Sequence, residues 1–546
     1  MPTVSVSYRD LISLLGRDIP QTELVGRIPM MGGTVESVGG DAMVLEFFAN
    51  RPDLYSVEGI ARALRGFLGW ETGLPNFHRE ESSIRCTVDP ELGSIRPYIV
   101  AASVRGLRMT DGLVRSLVDL QEKLHNTVGR KRKKVSIGLH DLDPLSPPLH
   151  YRAVGPEEVT FIPLGETRAF SPGSILEELG KGREFAALLR GKPQYPLLVD
   201  ARDQVLSFPP IINGVVTAVT ERTQNLFIDV TGTDLLWCRK TLNILVTALS
   251  ERGGRIQGVT MEYQDEKFQT PDLTPKQLTL DPRYAEKLIG QKIPIPEMVD
   301  SLEKMRHGAI VQEGEIAAEV AAYRVDVIHP IDLVEDVAIG YGYGRIPRSL
   351  PRIPTLGEVH PLIEAAGSLR DTLVGYGYVE VVTPTFINPS EADDTAVLIA
   401  NPIELELSAL RTSLLPSLLR VLHKNRHRDL PQRIFEVGEV VLQAENRQKV
   451  AGLSLSSKSG YTEMKSLVQA LCRDSRFPFR IESIEHPSLI YRRCASVLSV
   501  DGTVGVFGEV RPEVLEQYSL GYPACGFELD VEGFLGHDAP PPSEGR

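Results

Sequence analysis

The chain has 546 residues, of which 59 are basic and 72 acidic, for a formal net charge of −13. That length exceeds one hydrophobic core and calls for three or four domains. The acidic balance excludes a protein that coats nucleic acid indiscriminately, and no apolar run approaches the ~20 residues of a membrane span. Hydrophobic residues at 42% and charged residues at 24% are ordinary for a soluble globular protein. Met1 to Val6 lacks a basic region followed by an apolar one, so no signal peptide is expected. Cys86, Cys238, Cys472, Cys494 and Cys525 are scattered without a CxxC pair. They suit buried, reduced thiols in the cytoplasm and make a structural zinc site unexpected.

Residues 1–80 read as a first unit. Val4 to Tyr8 alternates as a strand does, and Asp10 to Leu15 reads as a short helix. Asn50 to Gly69 is the clearest helical pattern, with Asn50 as cap and Pro52 in the first turn. Val57, Ile60, Ala61, Leu64, Phe67 and Leu68 form its apolar stripe, facing either the core or a partner.

Residues 90–265 read as a second unit. A helix over Thr110 to Val128 leads into Arg130, Lys131, Arg132, Lys133 and Lys134, a basic run that is either a solvated loop or an RNA contact. Asp141 and Asp143 before Pro144 favour a turn over a cation site. Two apolar strands, within Val205 to Asn213 and Asn225 to Asp234, end in small polar residues. Ser207, Asn213, Asp229, Thr231 and Asp234 are the groups that could converge on a pocket floor, although the same residues are good turn chemistry. The two segments hold no Ser-His-Asp order and no activating histidine, so hydrolysis there would rest on a positioned water and oxyanion contacts.

Residues 270–346 read as two short helices, Asp281 to Gly290 and Pro296 to Arg306, and a hairpin turning at Glu313 and Gly314. That combination suggests a winged-helix-like module, suited to nucleic acid or to protein packing. Val320 to Val327 reads as a strand, broken by His329 and Pro330, with a helix from Ile331. Asp326, Asp332, Glu335 and Asp336 crowd this junction, the last three on one helix face. Oxygen ligands without Cys or His favour a hard cation such as magnesium. The other reading is a capping box of Asp332 and Glu335. His423 and His427 have helical metal spacing, but Lys424, Arg426 and Arg428 would repel a cation. Gly173 to Lys181 is too long for a phosphate loop, and Gly340 to Gly344 stands in the wrong context for a dinucleotide turn.

The acidic junction with Gly340 to Pro347, and the run Asn50 to Leu54, resemble the beta subunit of phenylalanyl-tRNA synthetase in its archaeal and eukaryotic form. The resemblance implies a multidomain α+β chain. Its parts would be an N-terminal α/β structural domain (1–80), a B3/B4 tRNA-editing domain (90–265), a winged-helix-like B5 domain (270–346) and a class II synthetase-like antiparallel-sheet domain, B6/B7, at 355–535. A proline-rich linker, Pro347 to Pro354, precedes the last, and 536–546 reads as a disordered tail. The resemblance also implies that Asp326, Asp332, Glu335 and Asp336 bind Mg2+ near an alpha-subunit contact. By it, the chain is the beta subunit of an alpha2beta2 enzyme that joins phenylalanine to tRNA(Phe) with ATP, and it hydrolyses Tyr-tRNA(Phe). A pocket built for phenylalanine rejects an added hydroxyl only modestly, which gives a second, hydrolytic site its purpose. No adenylation residue is expected here. Glu436 follows Ile434 and Phe435 where the family's alpha subunit has an arginine, and Cys525 to Val531 contains none. The C-terminal anticodon-binding domain of the longer bacterial form is not recognised. Two rivals are a stand-alone aminoacyl-tRNA deacylase and a non-catalytic scaffold subunit.

Overall fold

The chain divides inside its proline-rich linker, between Ser349 and Leu350, into two units. The computed structural model describes residues 2–351, 353–500 and 502–535, and the tail at 536–546 lies outside them. The three segments before the linker form one compact unit, because a single core runs through them, joining Leu11, Leu45 and Leu64 to Leu117, Leu245 and Tyr323.

The N-terminal segment is a three-stranded antiparallel sheet with the strand Ala42–Phe47 in the middle. The long helix expected from Asn50 is two pieces, a single turn Pro52–Leu54 and the helix Val57–Phe67. Ser56 caps the helix in place of Asn50, its hydroxyl accepting from Gly59 N at 3.2 Å. Val57, Ile60, Ala61 and Leu64 are buried, so the apolar stripe faces the core.

An eleven-stranded mixed sheet follows. The strand Leu226–Gly232 runs antiparallel between Tyr98–Arg105 and Val135–Asp141, the last being the sheet edge. Val230, Ile228, Ile137 and Leu139 pack with Leu117, Leu120 and Leu245 from the helices Asp111–Asn126 and Leu235–Ser250. Strand periodicity of two therefore turns Ser136, Gly138 and His140 to the opposite face, with Asp229 and Thr231 beside them.

The hairpin Gly308–Gln312 and Glu315–Val320 turns where expected, joined by a third strand, Lys276–Leu280. The strand expected over Val320 to Val327 ends at Val320, and the next residues turn. Arg324 explains the departure. Its buried guanidinium reaches Met305 O, Asp326 and Asp336, an inward pull that an extended ladder would prevent.

The second unit is a seven-stranded sheet in which every pairing but one is antiparallel. Phe435, Phe507 and Phe527 face the helices Pro361–Gly375 and Tyr461–Asp474, while Ile434 and Leu453 face the helix Leu415–Lys424. In the stretch Tyr378 to Thr383 only Val379–Glu380 pairs as a strand. All five cysteines are buried and free.

Candidate functional site

At the edge of the large sheet lies a cavity of about 160 Å³ lined by Ser207, Asn213, Asp229, Gly138, Arg132, Glu122 and Gln121. Asp229 is 1% exposed. One carboxylate oxygen meets His140 Nε2 at 2.8 Å, and the other makes no hydrogen bond among the described residues, leaving it to the cavity. Directly across the ladder stands Gly138, where a Cβ would lie 2.2 Å from Asp229 Oδ1, so only glycine admits this carboxylate. His140 is fully buried and also meets Thr217 Oγ1 at 2.7 Å. Both ring nitrogens are thus engaged and neither activates Ser207. The Ser207 hydroxyl is buried without a partner among the described residues. An orphaned hydroxyl and a half-satisfied carboxylate on one cavity are unusual in a folded interior and mark a place for a ligand.

The edge strand explains the remaining wall. Its outward backbone groups would be unpaired, and side chains satisfy them instead. Gln121 donates to Ile137 O at 2.7 Å, Asn213 donates to Leu139 O at 3.2 Å, and Ile137 N donates to His125 Nε2 at 2.8 Å. Glu122 pairs with Arg132 at 2.7 Å. Its carboxyl is pushed down to about 2, first by the His125 ring and then, against the opposing effect of burial, by Arg132.

Three of the five expected pocket residues meet here, and two do not. Thr231 is fully buried beneath the site, bonded to Arg96 and Ser136. Asp234 caps the helix Leu235–Ser250 at Trp237 N and pairs with Lys134. The loop before a helix claims such an acid for the helix end. Asp141 and Asp143 make the expected turn, with Asp143 N donating to Asp141.

The basic run is also split. Arg130, Lys131 and Arg132 lie at φ 49°, 53° and 63°, three successive non-glycine residues in the left-handed region. Such backbone costs roughly 1–2 kcal/mol per residue and persists only where its surroundings hold it. Arg130, Lys131 and Lys133 are exposed, with no ion pair among the described residues. Arg132, expected as an RNA contact, is buried and turned inward, and Lys134 is half-buried over Trp237.

At the acidic junction the helix is Pro330–Tyr341. The capping box is formed by His329 and Asp332, because Asp332 accepts from Ile328 N and His329 N at 2.8 Å and Glu335 is too far along the helix. Asp326 and Asp336 share the Arg324 guanidinium at 2.8 and 2.7 Å, and His307 Nε2 lies 2.6 Å from Asp336. Burial would raise Asp336, but Arg324 and then His307 hold it well below the usual carboxylate range. Glu335 has no hydrogen bond or ion pair among the described residues. Burial pushes its carboxyl up, and the negative charges of Asp336 and Asp326 add to the shift. Arg51, from the run Asn50 to Leu54, pairs with Asp53 at 2.9 Å and reaches Asp326 at 4.0 Å, so that run braces this junction. Among the described residues no three His, Cys, Asp or Glu side chains stand ready around one point as a metal cluster. Arg324 occupies the centre that such a cluster needs.

The tRNA synthetase B5 domain family matches residues 278–343, and the phenylalanyl tRNA synthetase beta chain CLM domain family matches 346–531. Over 549 residues the chain is 43% identical to the phenylalanine–tRNA ligase beta subunit of Methanosarcina acetivorans, covering 98% of this chain and 99% of that one. The chain belongs to the phenylalanine–tRNA ligase beta subunit family. The beta subunit of Archaeoglobus fulgidus is 41% identical over 546 residues, with 98% and 99% covered. An N-terminal fragment of the phenylalanyl-tRNA synthetase beta subunit from Pyrococcus horikoshii superposes with a TM-score of 0.61 at 40% identity, covering 62% of this chain and 99% of the fragment.

In this ligase beta subunit the second unit holds its acids differently. Glu436 is 2% exposed and pairs with Arg411 at 2.9 Å, while Thr383 Oγ1 donates to it at 2.6 Å. The lone repelling carboxylate read from sequence is therefore neutralised inside the fold. Glu528 accepts from Ser413 Oγ and Leu414 N at the start of the helix Leu415–Lys424, and pairs with Lys449 at 2.8 Å. In a cavity of about 670 Å³ beside this helix Arg420 pairs with Glu391, Asp393 with Thr412 and His423 with Tyr518 O, while Arg420 Nε is buried without a hydrogen-bond partner among the described residues.

His140, Gly138, Glu122 and His125 were missed in the sequence. The strand Val135–Asp141 carried a usable signal, since Ser136, Gly138 and His140 alternate with Val135, Ile137 and Leu139. Small and polar residues on one face of an apolar strand mark a polar layer.

Proposed function

We propose that this beta subunit hydrolyses tyrosine wrongly attached to tRNA(Phe), at the cavity of Ser207, Asn213 and Asp229. The observation that carries this reading is the buried Asp229 carboxylate, fixed by His140 on one oxygen and free toward the cavity on the other. At about 160 Å³ the space is smaller than the 300–1,000 Å³ of a whole-ligand pocket, so it suits an aminoacyl end with the RNA outside. Asp229 takes the proton of a water as that water attacks the ester carbonyl. The Ser207 hydroxyl donates to the oxygen on which charge develops, and the ribose oxygen leaves with a proton returned from Asp229. No acyl-enzyme forms, because no base activates Ser207. Arg130, Lys131 and Lys133 are proposed as the RNA contacts.

The larger assembly is part of the same proposal. The chain supports ATP-dependent attachment of phenylalanine as half of an alpha2beta2 enzyme in the cytoplasm, with the adenylate made by the alpha subunit. The second unit is a class II-like fold in this reading, and its Glu436 and Glu528 are buried and already paired with Arg411 and Lys449, so they serve the fold and not a triphosphate. The helices and hairpin of 270–346 serve as the winged-helix-like B5 module. Among the described residues no helix is long and apolar enough to cross a membrane. Magnesium is proposed at Asp326, Asp332, Glu335 and Asp336. All four offer hard oxygens, but Arg324 already holds Asp326 and Asp336, and Asp332 caps the helix. An ion would therefore have to displace that guanidinium, with Glu335 the acid left without a partner among the described residues. A cation there would relieve the repulsion and stiffen the face offered to the alpha subunit.

The test is hydrolysis of pre-charged Tyr-tRNA(Phe) by the chain assembled with its alpha subunit. Wild type is expected to clear it and Asp229→Ala to fail, while phenylalanine attachment continues. Clearance by the isolated chain at the full rate points to a stand-alone deacylase. Unchanged clearance by Asp229→Ala points to a scaffold.

A further inference from the structure

We infer that the small cavity between Arg62 and Arg306 binds a monovalent anion of halide size, and that the bound ion fastens the N-terminal segment to the module of residues 270–346.

Five side chains form a row of ion pairs across the first unit. Arg306 Nη2 lies 2.7 Å from one oxygen of Glu71, whose other oxygen lies 2.8 Å from Arg65 Nε. Arg65 Nη2 reaches Glu251 at 2.5 Å, and the second oxygen of Glu251 lies 3.5 Å from Arg62 Nη1. The row alternates in sign with an arginine at each end, so three cations share two carboxylates. Both ends are buried, Arg62 at 1% and Arg306 at 3% exposure. Both also carry nitrogens with no hydrogen-bond partner among the described residues, Nη1 and Nη2 of Arg62 and Nε of Arg306. A guanidinium has donors only, so what these ends lack is an acceptor. Unmatched cationic donors in an interior are costly, and an anion between them removes the cost.

The two ends meet at one cavity. Arg62 and Arg306 line it together with Arg51, Asp53, Lys304 and Tyr323. Arg62 stands on the helix Val57–Phe67, and Arg306 follows the helix Ile295–Lys304. Gly66 lets the two segments close up, because a Cβ there would lie 2.5 Å from both Lys304 O and Arg306 Cδ. Tyr323 holds the Arg62 guanidinium, whose carbon stands 3.8 Å from the ring centroid. The other charges of the wall are already engaged. Asp53 accepts from Arg51 through both oxygens at 2.9 Å, and Lys304 pairs with Asp300 at 2.6 Å. At about 10 Å³ the space takes one sphere of about the size of a water. Chloride or bromide is of that order, whereas sulfate and phosphate are too large. A water would accept from the guanidinium groups, but it would leave their surplus charge in place.

Crystals of the full chain soaked in sodium bromide read the site through the anomalous scattering of bromine. A bromide peak between Arg62 and Arg306 is expected. Thermal unfolding of the same chain then compares sodium chloride with sodium gluconate at equal ionic strength, gluconate being too large for the cavity. Chloride is expected to raise the melting temperature by about 1–3 °C and to saturate, whereas Arg62→Met should melt alike in the two salts. If Arg62→Met does not fold, Arg306→Met carries the same expectation. Water in place of bromide at the cavity overturns the inference. So does a wild-type melting temperature indifferent to the choice of salt, or a chloride increment that the folded variant keeps.

Discussion

Asp229 and Glu436 are both carboxylates buried in β-sheets of this chain, and their surroundings differ in one respect. Glu436 is clasped by a full opposite charge, Arg411, with Thr383 as a further donor. Asp229 has one partner, His140, and one oxygen left to a cavity. A buried acid whose charge is matched is a structural fastening, because nothing is left over to act on a ligand. A buried acid half-satisfied beside empty space keeps a basic oxygen for a substrate proton. Burial and residue type alone would rank the two alike.

The comparison breaks most visibly at Glu436. Glu436→Ala leaves Arg411 buried and unpaired, and is expected to cost about 3–5 kcal/mol in denaturant unfolding of the second unit. Removing both partners with Glu436→Gln and Arg411→Met is expected to recover most of it. Asp229→Asn is expected to lower Tyr-tRNA(Phe) hydrolysis at least ~100-fold with much less loss of stability, measured by single-turnover deacylation beside thermal unfolding. Equal damage to fold and rate would erase the distinction. His140→Ala is expected to slow hydrolysis about 10- to 100-fold, and His140→Gln, which returns a donor, to recover most of the rate.

The acidic junction is an intermediate case, with Arg324 matching Asp326 and Asp336 while Glu335 has no partner among the described residues. Added magnesium is expected to stabilise the wild-type chain by about 1 kcal/mol in thermal unfolding, an increment that Glu335→Gln should lose. A chelator-insensitive melting curve for both would place the whole charge balance on Arg324. The smallest effect concerns Glu122, whose carboxyl is held at about 2. A depressed acid stabilises above its unfolded value, and that contribution fades as pH falls from about 4 toward 2. With its side chain 44% exposed, the loss is expected below about 1 kcal/mol, read as the change in unfolding free energy between wild type and Glu122→Gln along a pH series.

Much of this was written locally. Helix caps, turn glycines and apolar alternation gave the helix Asp111–Asn126, the hairpin at Glu313 and Gly314 and the linker break, because each depends on neighbours a few residues away. The acids at 326–336 and the polar ends of two strands were visible for the same reason. What the sequence left open was partnership. Asp234 went to a helix end, Thr231 to Arg96, Arg132 inward to carbonyls about 80 residues away, and Arg324 pulled an expected strand into a turn. His140 found Asp229 across a ladder 89 residues distant in the chain. Local pattern fixes which face a side chain is on, but the groups that balance a buried charge arrive from other strands and helices, and only the packed fold decides which ones reach it.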